Sequence, residues 1–347
     1  MKKKVDRLMK GIVFDKIGHF SLQEVEKPKI KKADDILIKI EAASICGSDV
    51  HILNDPPEVD AQIGTVIGHE FVGTVEEVGV DVKTFKPGDR LVCDPNISCG
   101  YCDYCKMGLP NMCTNVETIG VDLTGGFAQY TVVPERMAVK ISPDLPVEMA
   151  IFAEPVTCVM NGIKRIQLVP GETVLILGAG PIGIYFASIL KANGAGKVII
   201  SEPSEFRRSY AKEFGADVLV NPMEDDLHQI LLEHTAGLGA DVVVDTVGAL
   251  FGDCIKNIRR GGRILLFGFN TGAVNTIKQS DITRNDITVY GCWIGLYTLP
   301  ATVKILENGL VDFTKLITHK IGLEEFGDAL EDMRKGKALE VVIYPNK

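Results

Sequence analysis

The first strong pattern along the chain is an alternation of period two. In DILIKIEAA (35–43), Ile36, Ile38 and Ile40 share one face while Leu37 and Lys39 point the other way, as expected of a strand. VIGHEFVGTVEEVG, DRLVCD and GFAQYTVVP read as further strands bounded by Gly, Pro and Asp. From about residue 172 the character changes. TVLIL, KVIIS, DVLV, DVVVD, GRILLF and ITVYG are candidate strands, and the helical segments PIGIYFASILKA and SEFRRSYAKEF lie between the early ones. That alternation predicts a parallel, doubly wound sheet. After about 297 come two or three helices and a closing strand, EVVIYP, expected to return to the first domain. The fold class is therefore α/β, with a β-rich domain at 1–155, a doubly wound domain at 156–297 and a C-terminal return at 298–347.

Stretch 173–190, TVLILGAGPIGIYFASIL, carries no charge and has the length of a membrane span. Gly178, Gly180, Pro181 and Gly183 interrupt it, so a buried strand, a turn and a helix fit better. Composition agrees: 347 residues suggest two domains, and 46% hydrophobic with 24% charged residues is ordinary for a soluble protein. A net charge of −9 offers no basic face to nucleic acid or an anionic membrane. Nine cysteines with no secretory leader imply a reducing, cytoplasmic location. Residues 1–8 of the basic start MKKKVDRLMK read as a ragged leader before the first strand, with Met9 as the alternative start. No internal repeat, low-complexity segment or long linker is seen.

Cys99, Cys102, Cys105 and Cys113 follow C-x2-C-x2-C-x7-C within a lobe at 93–115. Four thiolates that close together make a tetrahedral cage for one structural zinc, with no coordination position left for catalysis. Gly100, Gly108 and Pro110 let the backbone fold back on itself. A disulfide cluster is the alternative, disfavoured in a chain without secretory marks.

Gly178-Ala-Gly180-Pro181-Ile182-Gly183 directly follows TVLIL and opens a helix, the setting in which GxGxxG reads as a dinucleotide site. Gly178 permits the tight turn, Gly180 lets the pyrophosphate approach, and Gly183 lets helix and sheet pack closely. The plain alternative is a glycine turn of an ordinary βαβ unit. Glu202 ends the second strand, 19 residues after Gly183. A carboxylate there accepts from the ribose hydroxyls and repels a 2′-phosphate, favouring NAD over NADP. Arg207 and Arg208 are counter-candidates for holding that phosphate; a solvated helix face is their simpler role.

Cys46-Gly-Ser48-Asp49-Val-His51, His69-Glu70 and Glu154-Pro155 each have a structural explanation alone. Beside a zinc cage and a nicotinamide site, they point to an N/O/S metal site. With Gly68-His69-Glu70, the cysteine lobe and Gly178–Gly183 in this order, the chain resembles the zinc-dependent medium-chain alcohol dehydrogenase family, from about Met9 to the C-terminus. The nearer resemblance is to its sorbitol (polyol) branch in bacteria. The resemblance implies a GroES-like catalytic domain, a Rossmann domain and an active site in the cleft between them. It implies that Cys46 and His69 hold a catalytic zinc, with Glu154 at the position of the ethanol-type branch's second cysteine and Glu70 also available. Two zincs and one NAD per chain follow, as does a homo-oligomer, dimer or tetramer. The family further suggests Ser48 as first proton acceptor, His51 as outlet and Asp49 as the partner that orients His69.

A carboxylate in place of a second thiolate hardens the metal site and can swing aside for a further ligand. The expected reaction is therefore hydride transfer between a secondary alcohol, a polyol or sugar alcohol, and NAD. Threonine or ethanol-type dehydrogenases are alternatives, as is a non-enzymatic NAD-binding regulator on the same fold. Cys93, Cys158, Cys254 and Cys292 read as packing residues, and His19, His228, His234 and His319 as surface or structural. Trp293 reads as a cleft or core residue.

Overall fold

The computed structural model describes residues 7–347. The leader read at 1–8 lies outside the described residues as far as position 6, and Leu8 already opens the first strand, Leu8–Lys16. Two compact units result: the chain up to Pro155 together with Gly295–Lys347, and Val156–Ile294.

The first unit is built on a seven-stranded sheet. Its path runs Ala138–Ile141, Arg90–Cys93, Glu70–Val78, Asp35–Ser44, Glu340–Ile343, Ile317–Ile321, and Tyr130–Pro134 also pairs with Asp35–Ser44. Ile36, Ile38 and Ile40 are buried, and so is Leu37; Lys39 alone is exposed along that strand. Neighbours cover both faces of this central strand, so the face read as mixed is largely core. The closing strand comes home through Val342 opposite Ser44 and Ile343 opposite Ala43. Ile317–Ile321 (ITHKI) is a strand where helix was expected; it runs parallel to Glu340–Ile343. Thr, His and Lys between its isoleucines leave little strand signal. The core of the unit joins Ile38, Ile45, Phe71, Phe127, Phe326 and Ile343.

The segment starting at Val66 is two strands and not one. Thr65–Val66 pairs with Leu8–Lys16, and Glu70–Val78 enters the large sheet. Gly68 lies between them with φ +95. His69 therefore precedes the strand in which it was expected to lie.

The second unit is a six-stranded parallel sheet. Its order is Val218–Val220, Lys197–Ser201, Thr173–Leu177, Ala240–Asp245, Ile258–Leu266, Thr288–Gly291. In chain order this is three-two-one-four-five-six, with the switch point between the first and fourth strands. Val174, Leu175, Ile176 and Leu177 are all buried, as expected of a parallel strand covered on both faces. The uncharged stretch 173–190 resolves into the strand Thr173–Leu177, a glycine turn and the helix Pro181–Ala192. Among the described residues no helix is long and apolar enough to cross a membrane.

Candidate functional site

The four lobe cysteines converge. Their sulfurs all lie within 4.8 Å of one another, and none is in a disulfide. Four sulfurs held about 2.3 Å from one zinc stand about 3.8 Å apart; Cys102 Sγ and Cys113 Sγ are 3.9 Å apart. Backbone amides are aimed at these sulfurs. Cys99 N and Asn115 N donate to Cys113 Sγ, each at 3.3 Å, and Cys102 N donates to Cys99 Sγ at 3.4 Å. Amides from Cys105 and Thr114 bring the Cys102 thiol down to about 6. Donors directed at sulfur favour thiolate, so the donor set fits a thiolate-bound zinc.

The second cluster is Cys46, His69 and Glu70, again with ligand atoms within 4.8 Å of one another. Cys46 caps the helix Gly47–Ile52, and Asp49 Oδ2 accepts from Cys46 N at 2.9 Å. This fixes the start of the helix, where an acidic side chain also suits the dipole. Ser48 is thus inside the first turn and is not the N-cap. Asp49 is fully buried, and its Oδ1 faces His69 Nδ1 at 3.7 Å. Neither of those atoms makes a hydrogen bond to a described residue. A small closure would let Nδ1–H donate to Asp49 and leave Nε2 for a metal. Ser48 Oγ stands 3.3 Å from Nε2, on that same side.

Glu70 is buried and accepts a short hydrogen bond from Ser44 Oγ. Burial raises its carboxyl pKa. Burial and the Glu70 charge push the Cys46 thiol up to about 11. A thiol, an imidazole and two carboxyls share this small buried volume. A divalent cation relieves the cost of ionising them, so the residues fit a metal ion.

Glu154 is buried near the start of the helix Ala153–Ile166 and lies outside this three-residue cluster. Its charge is felt at Cys93 instead, whose thiol pKa is raised first by burial, then by Asp94 and Glu154. Cys93 packs in the core, as read. His51 is half-buried, its Nδ1 lying 2.9 Å from Glu58 Oε2, in ion-pair range but not aligned as a hydrogen bond. Ser44, Glu58 and Phe127 were not anticipated. Ser44 and Glu70 are 26 residues apart, and no short-range pattern links them.

In the second unit Gly178 has φ +100, and a Cβ there would meet Thr246 Oγ1 at 2.7 Å. A Cβ on Gly183 would lie 2.1 Å from Gly178 O. A Cβ on Gly180 would meet nothing within 4 Å, so this turn is open on the side where a pyrophosphate would approach. Gly180 caps the helix, Pro181 is its first residue, and Ile182 and Gly183 complete the first turn. Glu202 is buried. Its Oε2 accepts from Ala179 N at 2.8 Å and its Oε1 from Ser204 N at 2.9 Å. The carboxylate is thereby tied to the glycine turn. Arg208 Nη1 donates to Glu202 O at 2.7 Å and Pro203 O at 2.6 Å, so it braces the strand end. Arg207 N donates to the capping Ser204 Oγ at 3.4 Å. Asp245 is an unanticipated organiser: it accepts from Val247 N, Gly248 N and Leu250 N.

Residues 32–143 match the alcohol dehydrogenase GroES-like domain, and residues 181–308 match the zinc-binding dehydrogenase family. The L-threonine 3-dehydrogenase of Thermococcus kodakarensis is 36% identical over 338 residues, covering 94% of this chain and 95% of that protein. The sorbitol dehydrogenase of Bacillus subtilis is 31% identical over 355 residues, covering 99% of each. Among solved structures, a Sinorhizobium meliloti 1021 protein assigned to the zinc-binding dehydrogenases and bound to NADP superposes with a TM-score of 0.93. It is 31% identical, over 97% of this chain and 99% of that one. The chain therefore belongs to the zinc-dependent medium-chain alcohol dehydrogenase family, with a GroES-like domain and a Rossmann-type domain that binds NAD(P). It is an oxidoreductase, and the resemblance read from its motifs holds.

Proposed function

We propose that this dehydrogenase oxidises a polyol or sugar alcohol at a secondary hydroxyl, with NAD as acceptor. The observation that carries the reading is the composition of the buried cluster: one thiol, one imidazole and the Glu70 carboxylate. Cys46, His69 and Glu70 would hold the catalytic zinc, and Cys99, Cys102, Cys105 and Cys113 a structural one. A set with one thiolate and one carboxylate is harder than a set with two thiolates. It suits a substrate presenting two adjacent oxygens better than one presenting a single hydroxyl. Glu154, outside the cluster, has a structural part in this reading.

When bound, zinc and nicotinamide supply Lewis acidity and a hydride acceptor. Oxidation also releases a proton, and the Gly47–Ile52 helix is placed to take it. Ser48 Oγ is the first acceptor, 3.3 Å from His69 Nε2. His51 lies three residues on, on the same helix face, with its Nδ1 2.9 Å from Glu58 Oε2, and hands the proton to solvent. Asp49 accepts from the Cys46 amide and turns its other oxygen to the His69 ring at 3.7 Å, where closure on metal binding would let it orient that ligand as well. Glu202 supports NAD over NADP, because a fixed carboxylate beside the ribose repels a 2′-phosphate and Arg208 is occupied with backbone carbonyls.

L-Threonine is the second reading, favoured by the 36% identical relative. It too carries a donor atom, its amine, beside a secondary hydroxyl. A panel of alditols, inositols, sugar phosphates, threonine and simple alcohols, followed by nicotinamide absorbance with NAD and with NADP, separates the readings. A polyol should give the highest kcat/KM. Ethanol turned over as well as polyols refutes the chelation argument, and threonine ahead of every polyol replaces it. Thiolate ligation needs reduced cysteines, which supports a cytoplasmic location. A dimer or tetramer is the proposed assembly, read by light scattering.

A further inference from the structure

Just past Thr288–Gly291, the last strand of the dinucleotide-binding unit, Ile294 has φ +40. A β-branched residue rarely takes that left-handed conformation. Such strain persists where the surroundings enforce it, and here a buried side chain does so. Asn161, 2% exposed on the helix Ala153–Ile166, donates from Nδ2 to Ile294 O at 2.7 Å and to Trp293 O at 3.3 Å.

Those two carbonyls set where Trp293 stands. Its indole is 46% exposed and its ring centroid is 5.4 Å from that of Phe269, itself 47% exposed. Phe269 follows the strand Ile258–Leu266, which runs parallel to Thr288–Gly291 with Leu266 opposite Gly291. Cys292 N extends that pairing by donating to Leu266 O at 3.1 Å. Val247, also exposed, follows the next strand over, Ala240–Asp245. Three exposed apolar side chains thus stand past the carboxyl ends of three neighbouring parallel strands. Doubly wound sheets receive their ligands at that end.

We propose that Phe269 and Trp293 form an aromatic wall for the nicotinamide half of the dinucleotide, and that Asn161 is the positioning residue that holds Trp293 in it. The glycine turn takes the pyrophosphate at the end of the first strand. The fourth, fifth and sixth strands lie across the switch point, where the second half of a dinucleotide extends. The oxidised nicotinamide ring is flat and cationic, and an aromatic face attracts it by stacking and by cation–π attraction. The inference rests on dinucleotide binding by the family and is independent of the choice between NAD and NADP.

Trp293 is the sole tryptophan of the chain, so it reports on its own site. Indole emission overlaps dihydronicotinamide absorption, and NADH bound against the wall should quench it by energy transfer. The full-length protein is titrated with NADH and separately with NADPH, as wild type, Asn161→Ala, Ile294→Gly and the double variant. Asn161→Ala should weaken binding of the preferred dinucleotide about tenfold, through the loss of two hydrogen bonds from this side chain and the release of Ile294. Its transfer efficiency at saturation should fall as well, while the zinc content stays that of wild type. Glycine adopts positive φ readily, so Ile294→Gly in the Asn161→Ala background should recover most of the affinity. A purely structural Asn161 would lower Tm without altering affinity or transfer in the folded protein, and that result overturns the proposal. If Asn161→Ala does not fold, Trp293→Ala carries the test by competition with a fluorescent dinucleotide: a tenfold loss supports the wall, and unchanged affinity overturns it.

Discussion

Replacing Gly68 by alanine tests the link from backbone conformation to metal site most directly. Gly68 has φ +95, and an added Cβ would stand 2.3 Å from Phe127 Cδ1 and 2.6 Å from Cε1 and Cγ. Carbon atoms in contact sit about 3.5–4.0 Å apart, so ring or turn must retreat by roughly 1 Å. The ring has little room. Phe127 is fully buried, and its centroid is 5.3 Å from that of Phe326. The left-handed backbone costs about 1–2 kcal/mol with a side chain present, and overpacking a core costs about 1–3 kcal/mol. The sum, about 2–5 kcal/mol, falls on the turn that aims His69 at Cys46 and Glu70. If about 3 kcal/mol is expressed at the metal site, affinity for the catalytic zinc drops on the order of a hundredfold. The assay is zinc per chain by mass spectrometry after dialysis against graded chelator, with kcat/KM and Tm on the same samples. Gly68→Ala should lose one zinc, keep the four-cysteine zinc and lose activity in parallel. Gly171→Ala is the control: it shares φ +95, but its Cβ would meet nothing within 4 Å. It should lose stability through the backbone term alone and keep both zincs. Gly68→Ala with wild-type zinc affinity and Tm would refute the reasoning.

Three further outcomes follow from the same contacts. Cys46→Ala or His69→Ala should abolish turnover and remove one of the two proposed zincs, whereas Cys102→Ala should remove the other and lower Tm, since a structural zinc contributes folding free energy; metal analysis and calorimetry read both. Glu202→Gln keeps an acceptor for Ala179 N but removes the charge, so the ratio of kcat/KM for NAD over NADP should fall about tenfold or more, a difference of about 1.4 kcal/mol or more; an unchanged ratio would remove Glu202 from cofactor choice. Glu148 has its carboxyl pKa lowered chiefly by a hydrogen bond from Lys320 Nζ, which outweighs the opposing effect of burial, with a lesser contribution from Tyr344 Oη. The unfolded chain then binds more protons than the native one, so this group's stabilisation is complete above the ordinary glutamate range and is lost as pH falls through its lowered value. Glu148→Gln should flatten that part of the acid limb of a Tm–pH profile.

Much of the fold was legible because its signals are short-range. The apolar runs of the parallel strands and the period-two isoleucines at 36, 38 and 40 depend on neighbours a few positions away. The strand Ile317–Ile321 was missed because its polar residues hide it until Glu340–Ile343 supplies a partner. His69 was placed inside a strand because nothing in VIGHE announces that Gly68 must turn away from Phe127. The choice between Glu70 and Glu154 stayed open for the same kind of reason: both are acidic residues beside plausible structure, and only their surroundings differ.

By itself the sequence determined the four-cysteine cage and the glycine turn, since each is one local loop whose residue spacing nearly dictates its geometry. The folded chain alone decided that Ser44 reaches Glu70, that Asp49 serves Cys46 and His69 together, and that Asn161 holds the carbonyls of Trp293 and Ile294. Those contacts join segments separated by up to 133 residues. Their distances are set by the packing of sheets and helices around a core, and no local spacing encodes that packing.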